Sequence, residues 1–271
     1  MVSGTESVPA RRYTAIIMAG SRRGLDPMAA AAGVSHKCLV EIAGHTMLER
    51  VLRTLEASPR VAHSVLCVEE SFEAPAYVRE RIERGELTRL DAAGSPAASA
   101  TRACEQFAND MPLLVVTADH PLLNDAMLDY FCARAGSGGD VAVAVAPAAI
   151  VLGRYPDATR TLLRFADGPY CGCNLFSLNS HRAATVTRFW MKIEAQRKKP
   201  WRIVRLLGLW PLVMYVAGRL PLARALDVIS AKLGVRATAV SLPFADAAVD
   251  VDKPADLALV RSILERGADP E

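Results

Sequence analysis

The chain has 271 residues, 51% of them hydrophobic and 23% charged, with a formal net charge of +3. That composition supplies a substantial core and excludes wholesale disorder. So small a charge gives no electrostatic footprint for nucleic acid, and no nucleic-acid partner is expected.

Residues 1–12 are polar and lack the apolar run of a secretory signal. Ala15-Ile16-Ile17-Met18, ending in Ala19-Gly20, reads as a buried first strand entering a loop. Thr46-Met47-Leu48-Glu49 has capping-box spacing, and Met47, Leu48, Val51, Leu52 and Leu55 follow at helical intervals. Residues 64–68 read as a strand and 99–107 as a helix. Leu113 to Thr117 is a second buried strand, and Asn124 is placed to cap a helix through Met127, Leu128 and Phe131. Residues 141–146 form the next strand after the flexible 136–139.

Residues 183–233 change character. Their pattern is helical, they are basic around Arg197-Lys198-Lys199, and they carry Trp201 and Trp210. Strand-like runs return at 237–242 and 248–251, and a last helix starts near Pro254 and runs to Glu265. Alternating strands and helices predict an α/β chain: a Rossmann-like, mostly parallel mixed sheet with helices on both faces. The whole chain, 1–271, reads as one domain with a helical insertion or subdomain at 183–233. The longest uncharged apolar stretch, 206–218, contains Pro211 and is too short to span a bilayer. Tryptophan beside cations suits a membrane surface, so peripheral contact through 197–220 is weighed against ordinary packing. The expected location is cytoplasmic, with such contact at the inner membrane face.

Six cysteines stand at 38, 67, 104, 132, 171 and 173. Most lie in apolar runs such as Val65-Leu66-Cys67-Val68, where a thiol packs as a small hydrophobe. Cys171 and Cys173 form a lone C-x-C without the second half of a zinc site. Reduced thiols are expected.

Five motifs carry chemistry. The first is Met18-Ala19-Gly20-Ser21-Arg22-Arg23-Gly24, followed by His36-Lys37-Cys38-Leu39. Glycines at a strand end let backbone N–H groups approach phosphate oxygens, and Arg22 or Arg23 with Lys37 could neutralise a triphosphate. A plain turn beside surface cations has the same pattern. The second is Thr117-Ala118-Asp119-His120-Pro121, where a carboxylate leaves a buried strand; it suits magnesium or a helix cap. The third is Val249-Asp250-Val251-Asp252-Lys253-Pro254-Ala255-Asp256, in which Asp250 and Asp252 share one side of an extended run. Either could be a second metal ligand, Asp252 could instead cap the last helix, and Asp256 reads as a favourable first-turn charge. The fourth is the small-residue loop 91–99, with Gly94, Ser95 and Ser99 as candidates for base or ribose contact or for capping alone. The fifth is 167–175, with Gly172 and Asn174, preceded by Arg160 and Arg164, two cations suited either to an acceptor phosphate or to a solvated strand.

The first motif, together with Ile42-Ala43-Gly44 and Thr46-Met47-Leu48, resembles the molybdenum-cofactor nucleotidyltransferase-like (MobA-like) group of the GT-A-like superfamily. The resemblance covers roughly 12–174 and 237–265. It implies a nucleotidyltransferase that moves a nucleoside monophosphate from an NTP, CTP first and GTP second, to a phosphorylated small molecule, releasing pyrophosphate. It implies Arg22 and Lys37 as catalytic cations, with Ala19, Gly20, Ser21, Arg23, Gly24, Gly94, Ser95 and Ser99 toward the nucleotide. It assigns Mg2+ to Asp119 with Asp252 or Asp250 and the acceptor side to Gly172 and Asn174, which Arg160 and Arg164 precede as candidate grips for the acceptor's phosphate. The chain departs from the group in residues 25–35, which lengthen the loop between arginine and lysine and leave the register of Asp26 and His36 open. A glycosyltransferase of related fold would use a D-x-D-like motif, which Asp119-His120-Pro121 lacks. A non-catalytic nucleotide-binding module is the other alternative.

Overall fold

The computed structural model describes residues 11–21, 26–196 and 208–266. Its strands are β1 (Tyr13–Met18), β2 (Glu41–Ile42), β3 (His45–Thr46), β4 (Val61–Val68), β5 (Leu87–Asp91), β6 (Leu113–Thr117), β7 (Val141–Pro147), β8 (Leu162–Phe165), β9 (Gly168–Leu178) and β10 (Ala237–Ser241). The main sheet has eight strands, in the order β10-β7-β9-β6-β1-β4-β5, with β8 paired to β9; β2 and β3 make a separate hairpin. Neighbours run parallel except around β9, which is antiparallel to β6, β7 and β8. The sheet is thus mixed and mostly parallel, as the alternation of the sequence predicts.

Burial on both faces explains the continuous apolar runs of β1 and β6. On one face Ala15, Ile17, Leu114 and Val116 pack with Leu48, Val51, Leu52 and Leu55 of helix Met47–Ala57 and with Leu128 and Phe131 of helix Asp125–Ala135. Each such aliphatic side chain contributes about 2 kcal/mol through burial. On the other face Ile16, Val65, Cys67, Leu113 and Val115 pack with Ala103, Cys104 and Ala183. The helix starts follow their caps. Thr46 accepts from the Glu49 N–H, Ser95 from Ala98 and Asn124 from Met127. Glu49 does not close the capping box; its carboxylate pairs with Arg53 and His45.

A third apolar cluster joins the two ends of the chain. Val40, Ile42 and Met47 pack with Leu122, Tyr155, Val249, Val251 and Val260. It supports the segment that carries Lys37 and the segment that carries Asp250 and Asp252. The latter departs from the strand expected at 248–251. A 3-10 turn occupies Ala245–Ala248, and the residues after it are extended without joining the sheet. Val249 and Val251 turn into the third cluster instead, leaving the intervening aspartate on the other side.

Residues 183–233 are helical where described, with helices Ala183–Gln196, Leu209–Val216 and Leu222–Leu233. Helix Leu222–Leu233 ends at Gly234, whose left-handed backbone (φ +66°) suits a residue without Cβ. Among the described residues no helix is long and apolar enough to cross a membrane.

Candidate active site

β1, β4, β5 and β6 run parallel, so their carboxyl ends lie along one edge of the sheet, the usual ligand position of such a fold. At the end of β1 the Ser21 N–H donates to Glu69 Oε1 at 2.6 Å. Gly20 fits tightly beside it: a Cβ there would stand 3.2 Å from Glu69 Oε1 and 3.3 Å from the Ala92 Cβ. The glycine therefore serves close approach between the loops after β1, β4 and β5. Arg22, Arg23 and Gly24 lie outside the described residues. Beyond them Asp26 caps helix Pro27–Ala31, accepting from Met28 and Ala29. Its carboxylate is therefore engaged in capping that helix.

That short helix and the Lys37–Leu39 turn bring Lys37 to the end of β6. Lys37 Nζ lies 2.6 Å from Asp119 Oδ2 and 2.8 Å from Asp252 Oδ1. Burial opposes the ammonium charge, but the two carboxylates outweigh it and hold the lysine pKa above its ordinary value. Residues 82 and 215 positions from Lys37 thus converge on one cation. His36, just before it, is buried, with its ring edge on Phe72 and its Nε2 3.4 Å from Glu69 Oε2. His120 is buried as well; burial pushes its pKa down and its Nε2 faces the Asp246 carbonyl at 3.3 Å. It is a packed neighbour of Asp119.

Asp250 lines a crevice that Asp252 also borders. Its Oδ1 accepts from Arg160 at 2.7 Å and its Oδ2 from the Asn174 amide at 2.9 Å. Burial, followed by the charges of Asp119 and Asp252, raises its pKa, while Arg160 opposes the shift. Asn174 can reach because β9 bulges there: Val143 faces Phe176, but Val145 faces Gly172, four residues back along β9. Asn174 has φ +49°, a conformation asparagine tolerates better than most residues, and the bulge re-aims its side chain. Arg160, whose side chain is only 7% exposed, also pairs with Asp256 at 3.0 Å. Asp256 Oδ2 meanwhile accepts from the Asp252 and Lys253 N–H groups at the start of the last helix.

A cavity of about 300 Å³ lies here, bounded by Arg160, Thr161, Gly172, Asn174, Asp250 and Lys253, among others. Three of the four residues read toward an acceptor, Arg160, Gly172 and Asn174, line it. Arg164 sits exposed on β8, outside this lining. Arg160 faces carboxylates rather than open space, so its charge is already matched. In the loop after β5, Ser95 caps the following helix and Ser99 Oγ accepts from the Ala93 N–H at 2.8 Å. Both hydroxyls hold the loop in shape, and a Cβ on Gly94 would meet nothing within 4 Å.

Two participants escaped the sequence reading. Glu69 follows an ordinary strand and precedes a second glutamate, so nothing local distinguishes it. The tie between Arg160 and Asp256 joins residues 96 apart and has no local signature either.

Among the described residues no three His, Cys, Asp or Glu side chains gather in a metal-ligating group. Magnesium, however, commonly takes one or two carboxylates and completes its shell with substrate phosphate and water. Asp119 Oδ1 is buried without a hydrogen-bond partner, a costly condition for a carboxylate oxygen. That orphan oxygen, beside Asp252, is compatible with a cation delivered along with a nucleotide.

A family profile for the MobA-like NTP transferase domain matches residues 15–239. A comparison with curated proteins finds no match. Among solved structures, a hypothetical transferase from Thermus thermophilus is 28% identical, with a TM-score of 0.76 over 91% of this chain and 99% of that one. A 4-diphosphocytidyl-2C-methyl-D-erythritol synthase is 16% identical, with a TM-score of 0.56 over 94% and 99%. A CMP:2-keto-3-deoxy-manno-octonic acid synthetase complexed with CTP is 12% identical, with a TM-score of 0.52 over 94% and 99%. The last two likenesses speak to the fold. With Lys37 held at the end of β6 and a profile that spans most of its length, the chain belongs to the MobA-like NTP transferase domain family.

Proposed function

We propose that this protein transfers a nucleoside monophosphate from an NTP to a phosphorylated small molecule and releases pyrophosphate. The observation that carries this reading is Lys37 held between Asp119 and Asp252 at the carboxyl end of β6. In the reaction an acceptor phosphate oxygen bonds to the α-phosphorus as the α–β phosphoanhydride bond breaks. A phosphate oxygen is already a nucleophile, so no strong general base is required. The difficulty is to bring two anions into line.

Lys37, kept protonated by its carboxylate neighbours, would supply positive charge for that encounter once those carboxylates turn to a cation. The Ala19 and Ser21 N–H groups already donate to the Cys67 carbonyl and to Glu69, so the Gly20 N–H is the backbone donor this loop would offer a triphosphate, and the sequence adds Arg22, with Arg23 as its alternative, as a further cation. Asp119 and Asp252 would hold Mg2+, which when bound offsets phosphate charge. Asp250, fixed by Arg160 and Asn174, borders the acceptor cavity, where Thr161 and Lys253 offer a hydroxyl and a cation. Such a lining suits a phosphorylated polyol or sugar phosphate. CTP is the first choice of donor and GTP the second, in keeping with neighbours of similar fold whose names carry cytidylyl products.

The test is a pyrophosphate-release screen of the four NTPs against phospho-polyols, sugar phosphates and phosphorylated cofactor precursors, with and without Mg2+. Acceptor-dependent pyrophosphate in one combination, absent when chelator is added, is the expected result. NDP release from an NDP-sugar would point instead to glycosyl transfer, and NTP binding without turnover to a binding module.

A further inference from the structure

All three tryptophans of the chain, Trp190, Trp201 and Trp210, fall within the helical insertion. Helix Leu209–Val216 has no buried residue. On it Leu209 is 67% exposed, Trp210 71%, Val213 47% and Val216 78%. Leu209, Val213 and Val216 recur at i, i+4 and i+7, so they line one face, with Trp210 at its margin. A tryptophan and three aliphatic side chains kept in water on one short helix form a coherent apolar patch, not scattered surface leucines.

Charge identifies the occupant. Between Gln196 and Asp227 the sequence carries Arg197, Lys198, Lys199, Arg202, Arg205, Arg219 and Arg224 and no acidic residue; the first five lie outside the described residues, and Arg224 stands 3.8 Å from Asp227. A second copy of the chain would bring the same positive charge against itself. An anionic bilayer surface offers the complement, with headgroups for the cations and an acyl boundary for tryptophan and leucine. The described helices are too short to cross a membrane, which fits a helix lying in the interface.

The patch also has a fixed relation to the crevice. Tyr215 meets Phe165 of β8 ring to ring at 5.6 Å, and the Ala166 N–H donates to the Leu220 carbonyl at 2.9 Å. Since β8 pairs with β9, the exposed helix stands one hairpin from Gly172 and Asn174. We infer that helix Leu209–Val216 docks this protein on anionic membrane surfaces, with the cavity at Asn174 held beside the bilayer. The inference concerns binding alone and does not depend on the proposed reaction.

The experiment is flotation of the full chain with vesicles of phosphatidylcholine alone or mixed with phosphatidylglycerol. Binding to the mixed vesicles is expected to exceed binding to phosphatidylcholine by about tenfold or more and to weaken with added salt. Trp210→Glu and Val216→Glu should each cut it at least tenfold without changing the melting temperature, because both side chains already face water. Ile150→Glu, at an exposed apolar site on a different helix, should leave it unchanged. Failure to float with either vesicle, equal binding to both, or a dimer in light scattering that Trp210→Glu dissolves would each overturn the inference.

Discussion

The Val251 N–H donates to the Asp119 carbonyl at 2.9 Å, tying the extended run before the last helix to the end of β6. This one backbone bond brings Asp252 within reach of the lysine that already meets Asp119. The carboxylate arrangement is therefore a property of the backbone framework, and removing a side chain should leave it in place. Asp119→Ala and Lys37→Ala are each expected to lower turnover by about 10²–10³-fold, the scale of a lost charge-stabilising contact. Both should still fold and melt cooperatively, at a temperature lowered by the loss of a part-buried ion pair. Wild-type pyrophosphate release by either purified variant would remove that residue from the proposed chemistry.

Arg160 poses a different question, because its guanidinium is buried and shared between Asp250 and Asp256. Arg160→Ala strands two carboxylates near the crevice and should cost about 3–5 kcal/mol, as when one partner of a buried pair is removed. Urea denaturation reads this as a lower midpoint at constant slope. Arg160→Lys should recover only part of the loss, since one ammonium cannot reproduce a planar fork. If Arg160→Ala melts like the parent but shows a raised KM for acceptor, the arginine is a ligand contact and not a brace for Asp250.

Much of this arrangement was legible in the sequence. Continuous apolar runs marked β1 and β6 because both their faces are covered, and the caps at Thr46 and Asn124 are local signals that tertiary packing did not override. Lys37 and Asp119 stood out because a cation after a glycine loop and an aspartate after a buried strand occupy positions set by short-range chemistry. The extended run at 249–251 misled because alternation reports which side of the chain is buried, not what covers it; the cover is a cluster of helix and hairpin side chains instead of a neighbouring strand. Glu69 was invisible for a related reason. Its partner, the Ser21 N–H, is 48 residues away and has no side-chain identity to read.

Gly20 allows a direct test of close approach at the loop after β1. A methyl group there would press on the Glu69 carboxylate at 3.2 Å and on Ala92 at 3.3 Å. The glutamate is the softer neighbour, and its retreat would release the Ser21 N–H and reshape the loop. Gly20→Ala should therefore raise the KM for NTP by about tenfold, a cost of about 1.4 kcal/mol in binding, while leaving kcat and the acceptor KM much less affected. Unchanged nucleotide affinity, measured by calorimetry, would mean that the loop does not approach the triphosphate.

The cysteines give a pH prediction with a definite sign. All six are buried and unpaired. Burial pushes Cys67 and Cys104 up to about 11 and Cys38 and Cys132 up to about 12, from an ordinary value of 9.0. Cys171 and Cys173 are raised by the same cause. In the unfolded chain these thiols ionise near pH 9, whereas the folded chain retains their protons toward pH 11–12. The unfolded state then binds fewer protons, so stability falls with rising pH across that window. The contribution is complete below about pH 9 and is lost as the pH passes the folded values. Urea midpoints should accordingly drop between pH 9 and 11, and replacing Cys38 and Cys132 with alanine should flatten that decline while lowering stability at pH 7 through the smaller side chains. At pH 8 a thiol reagent should modify the native protein far more slowly than the urea-unfolded chain, because the nucleophile is the thiolate. Rapid modification of any cysteine in the native protein would show that its burial is not maintained in solution.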